Sequence, residues 1–149
     1  MNMLQAAKDQ VLALTTAACR AAVSAGELPE VEGIRAGVEI PKDPANGDYT
    51  TTFALAAAKA MKKSPREIAG TLLAHLDLTG SYFASAEIAG AGFLNFRLNE
   101  SWFAGVLAAV DGEGAAYGRS DALKGQKIMV EFVSANPTGP MHMGNARGG

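Results

Sequence analysis

Residues 82–98 read YFASAEIAGAGFLNFRL, and this stretch decides the fold of the first 110 residues. Residues 82–88 and 93–98 are short, rich in aromatic side chains and extended in character, and Gly90-Ala91-Gly92 between them suits a hairpin connection. The pattern predicts an antiparallel pair of strands. Helical segments lie on both sides of it, so we expect an α+β domain in which helices pack on a small antiparallel sheet.

Apolar residues before the hairpin recur at helical spacing. The first helix is predicted to end near Gly26, and a short strand is expected at 36–40. A second helix is expected to start between 48 and 51, and a third to follow the capping box Ser64-Pro65-Arg66-Glu67. After the hairpin, Asn99 can cap a fourth helix. The predicted apolar stripe of the first helix consists of Leu4, Ala7, Val11, Leu14, Ala18 and Ala21.

Net charge, cysteine content and the charged residues near the N-terminus limit the kinds of function that the chain can have. The chain has 149 residues, 48% of them hydrophobic, and a net charge of −2, so any nucleic-acid contact needs a local basic patch. The single Cys19 and the lack of zinc-type spacing favour a reduced protein without a metal site. Lys8, Asp9 and Arg20 interrupt the apolar residues of the N-terminal segment, so we expect a cytoplasmic protein with no membrane partner.

A second domain is predicted to begin after residues 111–126, which contain four glycines and are interpreted as a linker. Residues 128–133 form a nearly continuous apolar run, typical of a strand buried on both faces of a parallel sheet. A parallel neighbour needs a crossover of about a dozen residues or more, and only 16 residues follow. Residues 127–149 are therefore expected to be the first strand and loop of a truncated Rossmann-like domain.

The loop after this strand is where α/β proteins bind ligands. If a helix begins near 142–144, its free N–H groups would face an anion, and Gly144 would let a ligand approach the backbone closely. His142 and Asn145 can donate hydrogen bonds to phosphate oxygens. By residue type alone, a surface turn rich in Gly and Pro with one solvated histidine is the better interpretation.

The order of residues 131–147, EFVSANPTGPMHMGNAR, closely resembles the first signature region of arginyl-tRNA synthetases, which are class I enzymes. Residues 142–145 stand where that class carries His-Ile-Gly-His. The resemblance implies that His142 contacts the ATP phosphates in catalysis and that Gly144 lies in the ATP site. Asn145 stands at the last signature histidine, where it can donate a hydrogen bond but cannot carry a charge.

The same resemblance implies two contacts to substrate arginine. Asn136 would hold the α-amino group, and Glu131 would face the guanidinium. A carboxylate is the natural bidentate partner of a planar guanidinium. Without the resemblance, strand alternation would simply turn Glu131 toward solvent.

Residues 1–110 resemble the additional N-terminal domain of these enzymes, which contacts the elbow of the tRNA. The matching elements are Gly47-Asp48-Tyr49 and the segment 89–96, in which Ala91 stands where the family often has proline. Strand alternation places Phe93, Asn95 and Arg97 on one face. A base could stack on Phe93 and bond Asn95, with Arg97 near a phosphate, and the resemblance implies that Phe93 and Asn95 read a D-loop base. By alternation alone, a structural role for Phe93 is equally consistent.

Four positive charges fall within eight residues at Lys59, Lys62, Lys63 and Arg66. This cluster could contact phosphates or could be an ordinary solvated helix end, and the sequence favours neither.

The resemblance implies the N-terminal part of an enzyme that ligates L-arginine to its tRNA through an arginyl-adenylate, using ATP and Mg²⁺. This chain alone is expected to be inactive and to hold no tightly bound cofactor. The alternative is a free-standing RNA-binding or interaction module without a catalytic role.

Overall fold

The computed structural model describes residues 2–133 and 139–144 and divides the chain into two compact units, Met1–Tyr117 and Gly118–Gly149. The described part of the first unit contains four α-helices and a four-stranded sheet, so the predicted α+β class is confirmed. In chain order the elements are α1 (Met3–Ser24), β1 (Val38–Glu39), β2 (Tyr49–Thr51), α2 (Phe53–Met61), α3 (Pro65–Ala74), β3 (Phe83–Ala89), β4 (Phe93–Leu98) and α4 (Glu100–Glu113).

The sheet is antiparallel throughout, with strand order β1-β2-β4-β3. The hairpin predicted from residues 82–98 is confirmed as β3 and β4, and β4 lies inside the sheet with β2 on its other side. Leu94 and Phe96 of β4 are fully buried. The rings of Tyr49, Phe83 and Phe96 meet edge to face, with centroid separations of 6.0 Å and 5.3 Å. The core therefore lies on one face of β4.

The strand β2 corrects the sequence prediction, which started the second helix between residues 48 and 51. Tyr49–Thr51 pairs with β1 on one side and with β4 on the other, and α2 begins only at Phe53. Aromatic and β-branched side chains suit a half-buried strand. Three residues are too few for a periodic pattern, so only the pairing partners reveal the strand.

The apolar stripe predicted for α1 is right in its centre and wrong at its ends. Ala7, Val11 and Ala18 are buried as expected, whereas Leu4 and Ala21 are exposed. The buried face is determined by the elements that α1 packs against, which are α3, α4 and the strands β1 and β2. The other buried positions are Met3, Thr15, Cys19 and Ala22.

Both predicted helix caps are confirmed. Ser64 and Glu67 form the capping box of α3, with Pro65 in the first turn. The Asn99 side chain accepts hydrogen bonds from the N–H groups of Ser101 and Trp102 at the start of α4. This helix continues to Glu113, past the predicted start of the linker, and the predicted domain boundaries stay a prediction.

In the second unit, the strand predicted at 128–133 is not formed. Residues 127–133 form no regular structure, Met129 is 93% exposed, and Val133 has a φ of 50°. A strand needs a neighbour for its backbone N–H and C=O groups. The described residues of this unit supply no such neighbour, so the Rossmann-like start is not confirmed.

Candidate nucleic-acid interface

The outer face of β4 carries the three side chains that sequence alternation grouped together. Leu94 and Phe96 point into the core, so Phe93, Asn95 and Arg97 belong to the opposite face. Phe93 begins the strand beside the hairpin turn and is 36% exposed. An aromatic ring at this position is open to stacking by a planar partner.

Asn95 is much less accessible than sequence alternation suggests, because it is only 3% exposed. It lies in the interior strand, directly between Thr50 of β2 and Glu87 of β3. The neighbouring Thr50 Oγ1 is also buried and has no hydrogen-bond partner. Sequence alternation gives the face of a side chain, whereas its exposure depends on the flanking strands.

Arg97 is held by neighbouring chain segments. Its Nη2 donates a hydrogen bond of 2.6 Å to the Ala45 carbonyl and lies 3.6 Å from Glu87 Oε1. The guanidinium has five N–H donors, so these partners leave part of it available. Arg97 thus ties the loop before β2 to the sheet.

The tip of the hairpin rests on the first turn of α3. Gly92 has a φ of +133°, and a Cβ there would lie 2.7 Å from the backbone carbon and oxygen of Pro65. Arg66 Nη1 donates a 3.1 Å hydrogen bond to the Gly90 carbonyl. Sequence reasoning missed this contact, for which the glycine at position 92 is the one local signal.

The segment Gly47-Asp48-Tyr49 holds β2 against β4. The Asp48 carboxylate accepts the Leu98 N–H at 2.8 Å, and the Asp48 N–H donates to the Phe96 carbonyl at 2.9 Å. Gly47 has a φ of +89°, and a Cβ there would lie 2.8 Å from the Phe96 oxygen. Burial, and then the nearby Asp48 charge, raise the pKa of the Tyr49 hydroxyl. The sequence predicts the start of a helix here, and the contacts with β4 are found only in the structure.

Three further side chains of the first unit have structural contacts. Cys19 is buried, which raises the pKa of its thiol. Trp102 Nε1 donates to the Met3 carbonyl at 3.2 Å, which joins α4 to α1. His75 Nε2 lies 3.2 Å from Glu27 Oε2.

In the second unit, Glu131 and His142 are both exposed. The Gly144 N–H donates to His142 Nδ1 at 3.1 Å, so that N–H is directed at the imidazole rather than at an anion. The predicted site residues Asn136 and Asn145 lie outside the described residues.

Across residues 2–133 and 139–144, His, Cys, Asp and Glu side chains nowhere gather in threes as metal ligands would. Among the described helices, none has the length and apolar character needed to cross a membrane.

Comparison with known proteins places these features in context. Residues 9–98 match the family described as "Arginyl tRNA synthetase N terminal domain". The chain is 44% identical over 148 residues to the arginine–tRNA ligase of Acetivibrio thermocellus, a match covering 99% of this chain and 26% of that protein. Identity to the arginine–tRNA ligase of Staphylococcus carnosus is 43% over 147 residues, with the same two shares, 99% and 26%. The chain spans about a quarter of the length of these relatives.

Proposed function

Because the chain belongs to the family of arginyl-tRNA synthetase N-terminal domains, we propose that it is the tRNA-binding N-terminal part of an arginine–tRNA ligase. The single observation that carries the proposed contact is the position of Phe93. Its ring stays open to solvent at the hairpin turn, while the next residue of the strand is fully buried. A base of the tRNA D-loop stacks on this ring, since proteins recognise unpaired bases by stacking on aromatic side chains.

Asn95 and Arg97 have secondary roles in this contact. Because Asn95 is almost covered, its amide meets a base edge only after neighbouring side chains shift. The remaining N–H donors of Arg97 bind a phosphate while the Ala45 carbonyl fixes the guanidinium in place. Phe93 needs no rearrangement to stack on a base.

The test is the replacement Phe93→Ala, measured by titration with arginine tRNA. Removing one stacking interaction raises Kd roughly tenfold, and the circular dichroism spectrum stays unchanged because the ring is partly exposed. Phe103→Ala is the matched control, because it removes an exposed aromatic side chain from α4. Equal affinities of the wild type and Phe93→Ala would contradict the proposal.

The second unit supplies, in this proposal, the first ATP and arginine signature of the ligase. His142 donates a hydrogen bond to the ATP phosphates, and Gly144 and Asn145 complete the nucleotide contact. Glu131 binds the guanidinium of L-arginine, and Asn136 binds its α-amino group. The ligase joins arginine to its tRNA through an arginyl-adenylate in cytoplasmic protein synthesis. Mg²⁺ enters with ATP in this proposal.

The strand proposed at 128–133 forms when neighbouring strands of the catalytic domain accept its backbone hydrogen bonds. Until then Glu131 and His142 remain exposed, and a catalytic group without a supporting shell contributes little. We therefore expect this chain to bind tRNA but to show no arginine-dependent exchange of pyrophosphate into ATP. Measurable exchange by the isolated chain would contradict this assignment.

Guanidinium recognition by Glu131 is tested in a longer ligase that contains this sequence. Glu131→Gln removes the charge of a bidentate partner, so the KM for arginine rises about tenfold or more while the KM for ATP changes little. Steady-state kinetics with each substrate varied in turn provides the measurement. Equal increases in both constants would argue against this role.

A further inference from the structure

The basic cluster that the sequence left without a role lies beside the hairpin tip in the structure. Arg66 donates to the Gly90 carbonyl at 3.1 Å, and the backbone of Pro65 fills the space next to Gly92. A Cβ on Gly90 would lie 3.8 Å from Phe93 Cδ2, so the Phe93 ring is close to the same turn. The junction between α2 and α3 therefore neighbours the exposed ring.

Positive charges outnumber negative ones at this junction. Residues 59–67 carry four cations and one acid, Glu67, in a protein whose net charge is −2. The Glu67 carboxylate is occupied by the N–H and hydroxyl of Ser64 at 2.9 Å and 2.6 Å. Lys59, Lys62 and Lys63 are exposed, and none forms an ion pair with a side chain in the part of the chain that the structure describes.

Lys59 lies in the last turn of α2, and Lys62 and Lys63 follow it in the turn that leads to α3. Lys62 ends α2 in the left-handed conformation, with a φ of 52° and a ψ of 35°, and the Lys63 N–H donates to the Ala58 carbonyl. Glycine is the favoured residue at such a helix end. The capping box at Ser64 then starts α3 directly. The three lysines therefore lie at the end of α2 and just before α3, whose first turn contacts the hairpin.

We infer that Lys59, Lys62 and Lys63, here called the junction strip, bind the phosphate backbone of the RNA whose base stacks on Phe93. Lysine acts on phosphate as a point charge and gives affinity without sequence preference. The strip thus supplies the attraction to a polyanion that the acidic chain as a whole lacks, and Phe93 supplies the base contact. This inference rests on the proposed tRNA-binding function and adds a second surface to it.

The test measures how the affinity of the full chain for arginine tRNA depends on salt. The strip variant is the triple change Lys59→Gln, Lys62→Asn and Lys63→Gln, with Asn chosen because it tolerates a left-handed backbone. The control variant, Arg20→Gln, Arg35→Gln and Lys124→Gln, removes three exposed positive charges elsewhere. The logarithm of the association constant decreases linearly with the logarithm of the salt concentration. The magnitude of this slope decreases by about one for each phosphate that the protein no longer neutralises.

For the strip variant, we expect the magnitude of this slope to decrease by about two to three. We also expect its affinity for the tRNA near 0.1 M salt to be at least tenfold lower than that of the wild type. The control variant keeps a slope within about one unit of the wild type. Changing the D-loop base of the tRNA should weaken its binding to the wild type and to the strip variant by the same factor. The strip contacts phosphate, so its contribution does not depend on the base.

The outcomes separate this inference from the proposed function. If the strip variant keeps the wild-type slope while Phe93→Ala weakens binding, the inference is overturned and the hairpin contact stands. If Phe93→Ala has no effect but the slope falls for the strip variant only, the strip binds RNA and the stacking contact is wrong. If the control variant flattens the slope as much as the strip variant does, binding follows total charge and the inference is overturned.

Discussion

Gly92 is the residue that lets the hairpin approach α3. Its φ of +133° is unfavourable for any L side chain, and a Cβ would meet the Pro65 backbone at 2.7 Å. Because the obstacle is backbone rather than a flexible side chain, neither partner can move aside cheaply. The relation between the exposed ring of Phe93 and the junction strip depends on this one position.

Gly92→Ala is therefore expected to destabilise the first unit by roughly 2–4 kcal/mol, the sum of backbone strain and steric overlap. Gly80→Ala separates the two contributions, because Gly80 has a φ of +70° with nothing within 4 Å of the added Cβ. That control should cost only about 1 kcal/mol. Urea unfolding of both variants provides the comparison, and equal losses would show that the contact with Pro65 does not matter.

The burial of Cys19 affects the reactivity of its thiol. Burial raises the pKa of its thiol, and the thiolate is the reactive form. In the folded protein at pH 8, we expect Cys19 to react with a thiol reagent at least tenfold more slowly than in 6 M guanidinium chloride. Equal rates in the two solutions would mean that this side chain of α1 is not buried in the core of the first unit.

At the scale of elements, the first turn of α3 both stabilises the helix through its capping box and contacts the hairpin. Ser64 and Glu67 satisfy each other's hydrogen-bonding groups, and the same turn carries the contact with the hairpin. Ser64→Ala should lower the free energy of unfolding by about 1 kcal/mol, measured by urea denaturation at pH 7. No loss of stability would show that the capping box does not hold the helix end.

The capping box also predicts a pH dependence. The side-chain hydrogen bond from Ser64 and then its backbone N–H lower the pKa of the Glu67 carboxyl below its ordinary value of 4.5. Its stabilisation is complete above that ordinary value and is lost as the pH falls through the lower folded-state pKa. The stability difference between wild type and Ser64→Ala should therefore shrink below pH 4.5, and a constant difference would contradict the assignment.

The elements that the sequence predicts correctly are those with local signals. Alternation along 93–98 and the caps at Ser64 and Asn99 depend on neighbours in the chain. The strand β2 and the burial of Asn95 depend on partners far away in sequence, so local patterns miss them. Residues 128–133 have the composition of a strand but no neighbour to pair with in the described unit.

At the scale of the whole molecule, every described residue of the hydrophobic core lies before residue 103. The described residues of 118–149 contain no buried residue. We therefore expect a chain ending at Tyr117 to unfold in urea with a midpoint within about 0.2 M of the full chain, since m-values of small domains are about 1–3 kcal/mol/M. A much lower midpoint would show that residues 118–149 support the first unit.

In the proposal developed above, the hairpin turn and the junction strip together form the RNA surface of this domain. Titration of the ¹⁵N-labelled chain with arginine tRNA, followed by amide chemical shifts and line broadening, tests that claim most directly. We expect the largest changes at residues 59–66 and 90–97, with α1 and α4 little affected. Changes centred on α1 or on α4, with the hairpin undisturbed, would contradict it.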